Sequence, residues 1–295
     1  MQGYVAHSLV EALELRAAHP EAAPVAGGTD LMVELNFGRS EPPSLLDLSR
    51  VPELDRIERR DGHVFVGACV TFARIADELS ELDALAEAAR SVGSAQIRNR
   101  ATIGGNLATA SPAGDCLPVA AAWDGRVALS SSRGTRFVRW DDFLVGPKQT
   151  SLGEDELITG IELRAPKGPG VFAKTGPRSA VVIATAGVCV QLDDEHRTVR
   201  VALGSVGPTV LRATDAEAFG ATIVPWNAPE ASIDAEELVE FGLLAAAAAR
   251  PIDDLRASAA YRTHVVDRLS RRLLQRAVAR RGTPVSPVPE RGGPC

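Results

Sequence analysis

Residues 8–19, SLVEALELRAAH, put Leu9, Ala12 and Leu13 on one stripe at helical spacing, behind Ser8 and Glu11 in capping-box order. An apolar run at 22–26 then meets Gly27 and Gly28, which predicts a strand ending in a turn. Residues 29–37 return to helical spacing and 44–48 to a strand, so the opening unit reads helix, strand, glycine turn, helix, strand. A second unit follows. Strands are predicted at 63–68, 127–130, 136–140 and 157–163, and helices at 72–79, 82–92 and 116–122. Between them, residues 93–115 (GSAQIRNRATIGGNLATASPAGD) have no apolar period. A stretch of that kind inside a domain is functional or disordered.

The PKGPG segment at 166–170 reads as a linker, because the pattern changes beyond it. Long β-like runs at 181–192 and 199–205 flank the turn DDEHR, and helices are expected at 235–249 and 261–281. Strands followed by helices suggest a separate α+β domain. The expected organisation is residues 1–168 in two subdomains (about 1–55 and 56–168), 169–281 as a smaller domain, and a disordered Pro/Gly-rich tail at 282–295.

Composition narrows the function classes. The chain has 295 residues, 45% of them hydrophobic and 24% charged, enough apolar material for a real core. Aromatics reach only 4%, so that core must be built from Ala, Val, Leu and Ile. A formal charge of -6 gives no basic field to neutralise phosphates, and nucleic acid is not an expected partner. The basic run from Arg268 to Arg281 reads as one solvated helix face. No basic region followed by an apolar stretch opens the chain, so no signal peptide is expected. Nor does any run of about 18 apolar residues occur, and the chain reads as cytoplasmic. Cys69, Cys116, Cys189 and Cys295 stand far apart, without metal-ligand spacing to one another or to histidine. Cys69 and Cys189 lie in apolar runs and read as buried small hydrophobes. The chain is therefore not expected to hold an iron–sulfur cluster of its own.

Two glycine pairs carry the candidate chemistry. Ala26-Gly27-Gly28-Thr29-Asp30 runs into a helix, and Thr102-Ile103-Gly104-Gly105-Asn106 precedes Thr109, Ser111 and Asp115. Such turns let consecutive backbone N–H groups converge on anionic oxygens, and a following helix adds its positive end. Flanking threonine and asparagine add donors without net charge. Neither a G-K-[ST] nor a G-x-G-x-x-G pattern is present, so a dinucleotide would be gripped by two separate loops. Plain structural turns are the alternative.

AGGTDL at 26–31, VGACVTFARI at 66–75, RNRATIGGNLATASPAGD at 98–115 and FAKTGPRSAVVIATAGV at 172–188 occur in that order. Together they resemble the FAD-binding (medium) subunit of molybdenum hydroxylases. That group includes bacterial carbon monoxide dehydrogenase, nicotine dehydrogenase and the flavin portion of xanthine dehydrogenase. The resemblance spans about residues 1–280. It implies an α+β fold: a two-subdomain FAD-binding domain of the vanillyl-alcohol-oxidase/para-cresol-methylhydroxylase type. A small C-terminal domain of antiparallel sheet plus helices, like that of the carbon monoxide dehydrogenase flavoprotein, follows.

By the same resemblance, FAD is bound noncovalently. Pro24, Val25, Ala26, Gly27, Gly28, Thr29, Asp30 and Leu31 wrap the pyrophosphate, and Thr102, Ile103, Gly104, Gly105 and Asn106 lie against the same phosphates. Thr109 and Asp115 fall at FAD contacts, and Ile158 and Lys174 at positions near the flavin. Asp115 would also suit the N-cap of the helix at 116–122, and Lys174 a solvated strand position. Arg98 and Arg100 suit a surface or a partner contact. The implied partners are an iron–sulfur small subunit with 2Fe-2S clusters and a molybdopterin large subunit, in a dimer of heterotrimers. NAD, quinone or oxygen would be the external acceptor. Two rivals stand beside this reading. A self-contained FAD oxidase or reductase would need a base or a covalent anchor, yet His7, His19, His63, His196 and His264 all lie outside the glycine loops. A scaffold that has lost flavin would have no use for both loops.

Overall fold

The structure is a computed structural model and describes residues 2–164 and 166–281. A parallel sheet opens it: β1 (Gln2–Val5) and β2 (Ala22–Val25) pair on either side of β3 (Ser44–Asp47). Parallel neighbours require crossovers, supplied here by α1 (Leu9–Ala18) and α2 (Leu31–Asn36). Strand β1 was not expected from the sequence. At the start of α1, Ser8 Oγ accepts from Glu11 N–H at 3.2 Å, while the Glu11 carboxylate takes His7 N–H at 2.7 Å. Helix α2 starts two residues later than predicted, because Thr29 and Asp30 belong to the turn, and it buries none of its residues.

The second subdomain is built on an antiparallel sheet of β4 (Ile57–Arg60), β5 (His63–Gly67), β6 (Arg126–Ser131), β7 (Gly134–Arg139) and β10 (Leu157–Arg164), in the order β4-β5-β10-β6-β7. Between β5 and β6 run α3 (Phe72–Glu78), α4 (Asp83–Ser91), α5 (Ala95–Arg98), α6 (Ile103–Thr109) and α7 (Leu117–Ala122). After β7 come α8 (Trp140–Phe143) and the short hairpin β8 (Leu144–Gly146) and β9 (Gln149–Thr150). The stretch 93–115, expected to be irregular, contains α5 and α6. Helices of four and seven residues are too short to show a period. Phe72, Leu85, Leu107, Leu117, Leu129 and Phe143 fill the core beneath them.

The C-terminal unit carries the antiparallel sheet β11 (Gly170–Thr175), β12 (Ala186–Asp193), β13 (Thr198–Gly204) and β14 (Leu211–Arg212). Helices α9 (Thr214–Ile223), α10 (Ala235–Ala247) and α11 (Ala259–Arg281) complete it. Strand β12 begins at Ala186, five residues after the predicted start. Val181 sits at φ 51°, outside the β region, and the connection closes only where Thr185 N–H meets Thr175 O at 2.7 Å.

The basic run is a solvated face only in part, with Arg268 and Arg272 exposed. Arg276 pairs with Glu87 of α4, Arg280 with both Glu87 (2.7 Å) and Asp83 (3.5 Å), and Arg281 with Asp194 (2.6 Å). The helix thus clamps the C-terminal unit onto the second subdomain. Packing is continuous across that seam. Phe172, Cys189, Ala202 and Val210 belong to the same apolar cluster as Val119, Ala122 and Trp123. Within it, Trp123 Nε1 donates to Gln191 Oε1 at 3.0 Å. Cys69, Cys116 and Cys189 are buried free thiols, with burial pushing Cys69 up to about 12. Cys295 and the expected disordered tail lie outside the described residues. Among the described residues no helix is long and apolar enough to cross a membrane, and no group of His, Cys, Asp and Glu could hold a metal ion.

Candidate functional site

Where β2 ends, the chain turns into the first glycine loop, and the geometry explains both glycines. A Cβ on Gly27 would lie 1.9 Å from Arg100 O, so the loop rests directly on backbone and admits no side chain. Gly28 has φ +73°, a left-handed conformation that costs an L-residue roughly 1–2 kcal/mol. The N–H groups of Gly27, Gly28, Thr29 and Asp30 donate to no acceptor among the described residues. These four residues line a cleft of about 620 Å³, together with Pro24, Val25, Ala26 and Leu31.

The second glycine pair behaves differently. It forms the first turn of α6, and its donors are already used. Ile103 N–H reaches Val70 O at 3.1 Å, Gly104 N–H reaches Ala68 O at 2.9 Å, and Gly105 N–H reaches Thr102 Oγ1 at 3.1 Å. The expected second nest of free N–H groups is thus absent, because these groups dock α6 onto the segment after β5. A Cβ on Gly104 would come within 2.6 Å of Ala68 O, so that glycine serves packing, and Ile103 is buried beside it. Gly105 is the exception. It lines the cleft, and a Cβ there would meet only Thr102 Oγ1, at 3.3 Å. Thr102, Asn106 and Thr109 line the cleft with it.

Asp115 closes the far side. It is not the N-cap of α7, a position held by Cys116 without a side-chain bond. Its Oδ2 accepts from Lys174 Nζ at 2.5 Å, and Lys174 also donates to Val182 O at 3.0 Å. The two side chains are 7% and 9% exposed, so Lys174 is no solvated strand charge. Burial raises the Asp115 carboxyl above the ordinary range, opposed by the Lys174 ammonium. Lys174 itself stands behind Asp115, outside the cleft wall, and Ile158 is buried in the core of the second subdomain, paired with Leu129 across the sheet. Arg98 caps Val92 O and Gly93 O at 3.1 Å, and Arg100 supports Gly27 through its carbonyl.

Sequence reasoning missed Phe72, Ile97 and the 181–183 run, apolar residues that line the cleft together with Val92. That run was read as strand because it is β-branched. The only available signal was Gly176 and Pro177 ahead of it.

Among the described residues that line the cleft there is no Lys, Arg, His, Cys or Tyr. An anion bound there must be held by backbone N–H and hydroxyl groups. Two buried oxygens, Asn106 Oδ1 and Asp115 Oδ1, lack a donor. Backbone donors without acceptors and polar side chains around one cleft fit a dinucleotide.

Comparison with known proteins agrees. Residues 1–166 match the family described as FAD binding domain in molybdopterin dehydrogenase, and residues 172–277 match the CO dehydrogenase flavoprotein C-terminal domain. The chain is 32% identical to the nicotine 6-hydroxylase medium subunit of Paenarthrobacter nicotinovorans, over 92% of this chain and 95% of that one. It is 31% identical to the carbon monoxide dehydrogenase medium chain of Hydrogenophaga pseudoflava, over 88% of this chain and 90% of that one. Among solved structures, carbon monoxide dehydrogenase from Oligotropha carboxidovorans superposes with TM-score 0.85 at 27% identity, covering 95% of this chain and 98% of that one. Quinoline 2-oxidoreductase from Pseudomonas putida gives 0.84 at 26% identity, covering 94% and 96%. The chain therefore belongs to the family of FAD-binding medium subunits of molybdopterin dehydrogenases, oxidoreductases of the xanthine and carbon monoxide dehydrogenase type.

Proposed function

We propose that the cleft holds FAD noncovalently and that the chain is the electron-transfer subunit of a heteromeric molybdenum hydroxylase. The observation that carries this reading is the run of four N–H groups at Gly27–Asp30 that meet no acceptor among the described residues, on residues that all line the cleft. The pyrophosphate would lie on the 26–31 loop, with the hydroxyls of Thr29, Thr102 and Thr109 beside it. Sugar or ribityl hydroxyls would donate to Asp115 and Asn106. Gly105 leaves the room that the ligand needs, and Phe72, Val92 and Ile97 with residues 181–183 offer an apolar slot for a planar ring. Lys174 would hold Asp115 ionised and oriented while tying down the 176–185 connection through Val182 O. Ile158 would act only through the packing of β10.

When bound, FAD can take up electrons singly and pass them on in pairs. Those electrons would come from 2Fe-2S clusters on an iron–sulfur small subunit, supplied in turn by a molybdopterin large subunit, and leave to NAD, quinone or oxygen. The likeness to medium subunits along nearly the whole chain supports assembly with other subunits, and the form we propose is a dimer of heterotrimers in the cytoplasm. A self-contained oxidase with covalent flavin would want an anchor in the cleft, and the described lining offers no histidine, cysteine or tyrosine for one.

The test begins with the purified chain, expected to be yellow and to release FAD, not FMN, on acid denaturation. Anaerobic stopped-flow with purine, aldehyde, carbon monoxide or N-heterocycle should leave the flavin oxidised until both partner subunits are added. Flavin retained by the precipitate, or rapid bleaching of the lone chain by any of these substrates, would overturn the assignment.

A further inference from the structure

We propose that Lys148 is a latch: its ammonium, reaching from the β8–β9 turn to Glu34 of α2, holds the 26–31 lip against the cleft and sets how fast FAD leaves. The proposal rests on the FAD reading above and concerns a residue outside both glycine loops.

Helix α2 continues the phosphate-binding loop yet buries no residue, and Met32, Val33 and Phe37 stand exposed. Apolar packing therefore does little to fix its position. What crosses from α2 and its N-cap to the second subdomain is polar. Thr109 Oγ1 donates to Asp30 Oδ2 at 3.2 Å, and Lys148 Nζ donates to Glu34 Oε1 at 2.8 Å. Asp30, Glu34 and Thr109 all line the cleft, so these two bonds span one of its walls.

Lys148 itself is held at both ends. Its N–H donates to Ala110 O at 3.0 Å, at the left-handed C-cap of α6. Its own backbone has φ 56°, in the left-handed region. Glycine or asparagine fills such a turn position at lower cost. Lysine there accepts strain in return for a side chain long enough to reach Glu34. The strain thus points to a use for the ammonium, and the ion pair across the cleft supplies it.

The Lys148 side chain is 59% exposed and that of Glu34 23%, so the pair is modest and open to salt. A surface pair of this kind changes an equilibrium by up to about five-fold. The distinguishing variant is Lys148→Asn, which suits the left-handed turn but cannot span to Glu34. With the full chain, the apo form of Lys148→Asn should melt no lower than wild type. FAD release, followed by recovery of flavin fluorescence after dilution, should be two- to five-fold faster at low ionic strength, roughly the range an exposed pair provides. Glu34→Gln should give the same acceleration, the double variant no more, and Lys148→Arg should retain slow release. At about 1 M salt wild type should release as fast as the variants. A residue that only shaped the turn would alter melting and leave the salt dependence of release untouched. If wild type retains FAD and Lys148→Asn and Glu34→Gln release it at the wild-type rate, the latch is refuted and the FAD reading stands. If wild type binds no FAD, both fall.

Discussion

Replacing Lys174 by Met would leave the Asp115 carboxyl buried without its cation. Both side chains are more than nine-tenths buried and joined at 2.5 Å. Removing one partner of such a pair costs about 3–5 kcal/mol when the remaining group stays charged. Asp115 can escape part of that cost by binding a proton, which gives the effect a pH signature. Burial already holds its folded value above the unfolded one, and loss of the ammonium raises it further. A carboxyl with a raised folded value contributes full stability below its unfolded value and loses it as pH rises through the folded one. Lys174→Met should therefore approach wild type near pH 4 and weaken upward, with a limiting slope of about 1.4 kcal/mol per pH unit. Wild type should show the same sign with a smaller amplitude. Urea unfolding of the apo chain at steps between about pH 4 and 8 reads this directly, free of ligand linkage. The control is Asp115→Asn with Lys174→Met, which removes both charges and should recover most of the loss with a flat profile. A single variant as stable as wild type throughout, or one that strengthens as pH rises, would show that the pair carries no such burden.

Gly105→Val should keep the far-UV circular dichroism and melting temperature near wild type, because a Cβ there meets only Thr102 Oγ1, at 3.3 Å. Its FAD content should fall sharply, and full flavin retention would refute the placement of the ligand. Gly27→Ala, by contrast, drives a methyl into Arg100 O and should lose both stability and flavin. A chain ending at residue 166 lacks Phe172, Cys189, Ala202 and Val210 from the shared core and the Gln191 acceptor of Trp123. It should bind a hydrophobic dye and melt without cooperativity; a sharp unfolding transition would show that the second subdomain closes its core unaided.

Local signals in the sequence were read correctly where local chemistry decides the outcome. Ser8 and Glu11 announced the start of α1, and the apolar period placed α3, α4 and α10 within a residue or two. The first glycine loop was legible because its turn and donors act within five residues, even though the backbone it rests on, at Arg100, is distant in the chain. The second was misread because the fate of its N–H groups depends on Ala68 and Val70, more than thirty residues earlier. The same holds for the basic face of α11. Arg276 and Arg280 looked solvated, since the acidic partners Glu87 and Asp83 lie nearly two hundred residues away in the chain. Ile158 came from resemblance alone, and its side chain turned out to face the core. Strand β11 was anticipated only at Lys174, and helix α9 not at all. The first is half-buried beyond Phe172 and does not alternate, and the second carries Gly220 in its middle, packed near Phe241 and Val199.

Because no cationic side chain lines the cleft among the described residues, a phosphate held there would be gripped mainly by main chain. An alanine scan, the usual survey for ligand contacts, would walk past it. Thr29→Ala and Asp30→Ala each leave the amide in place, and the other two donors belong to glycines that such scans commonly skip. Sensitivity here is to mass gained, not to groups lost. At Gly27 a single added methyl meets Arg100 O and is enough to close the seat.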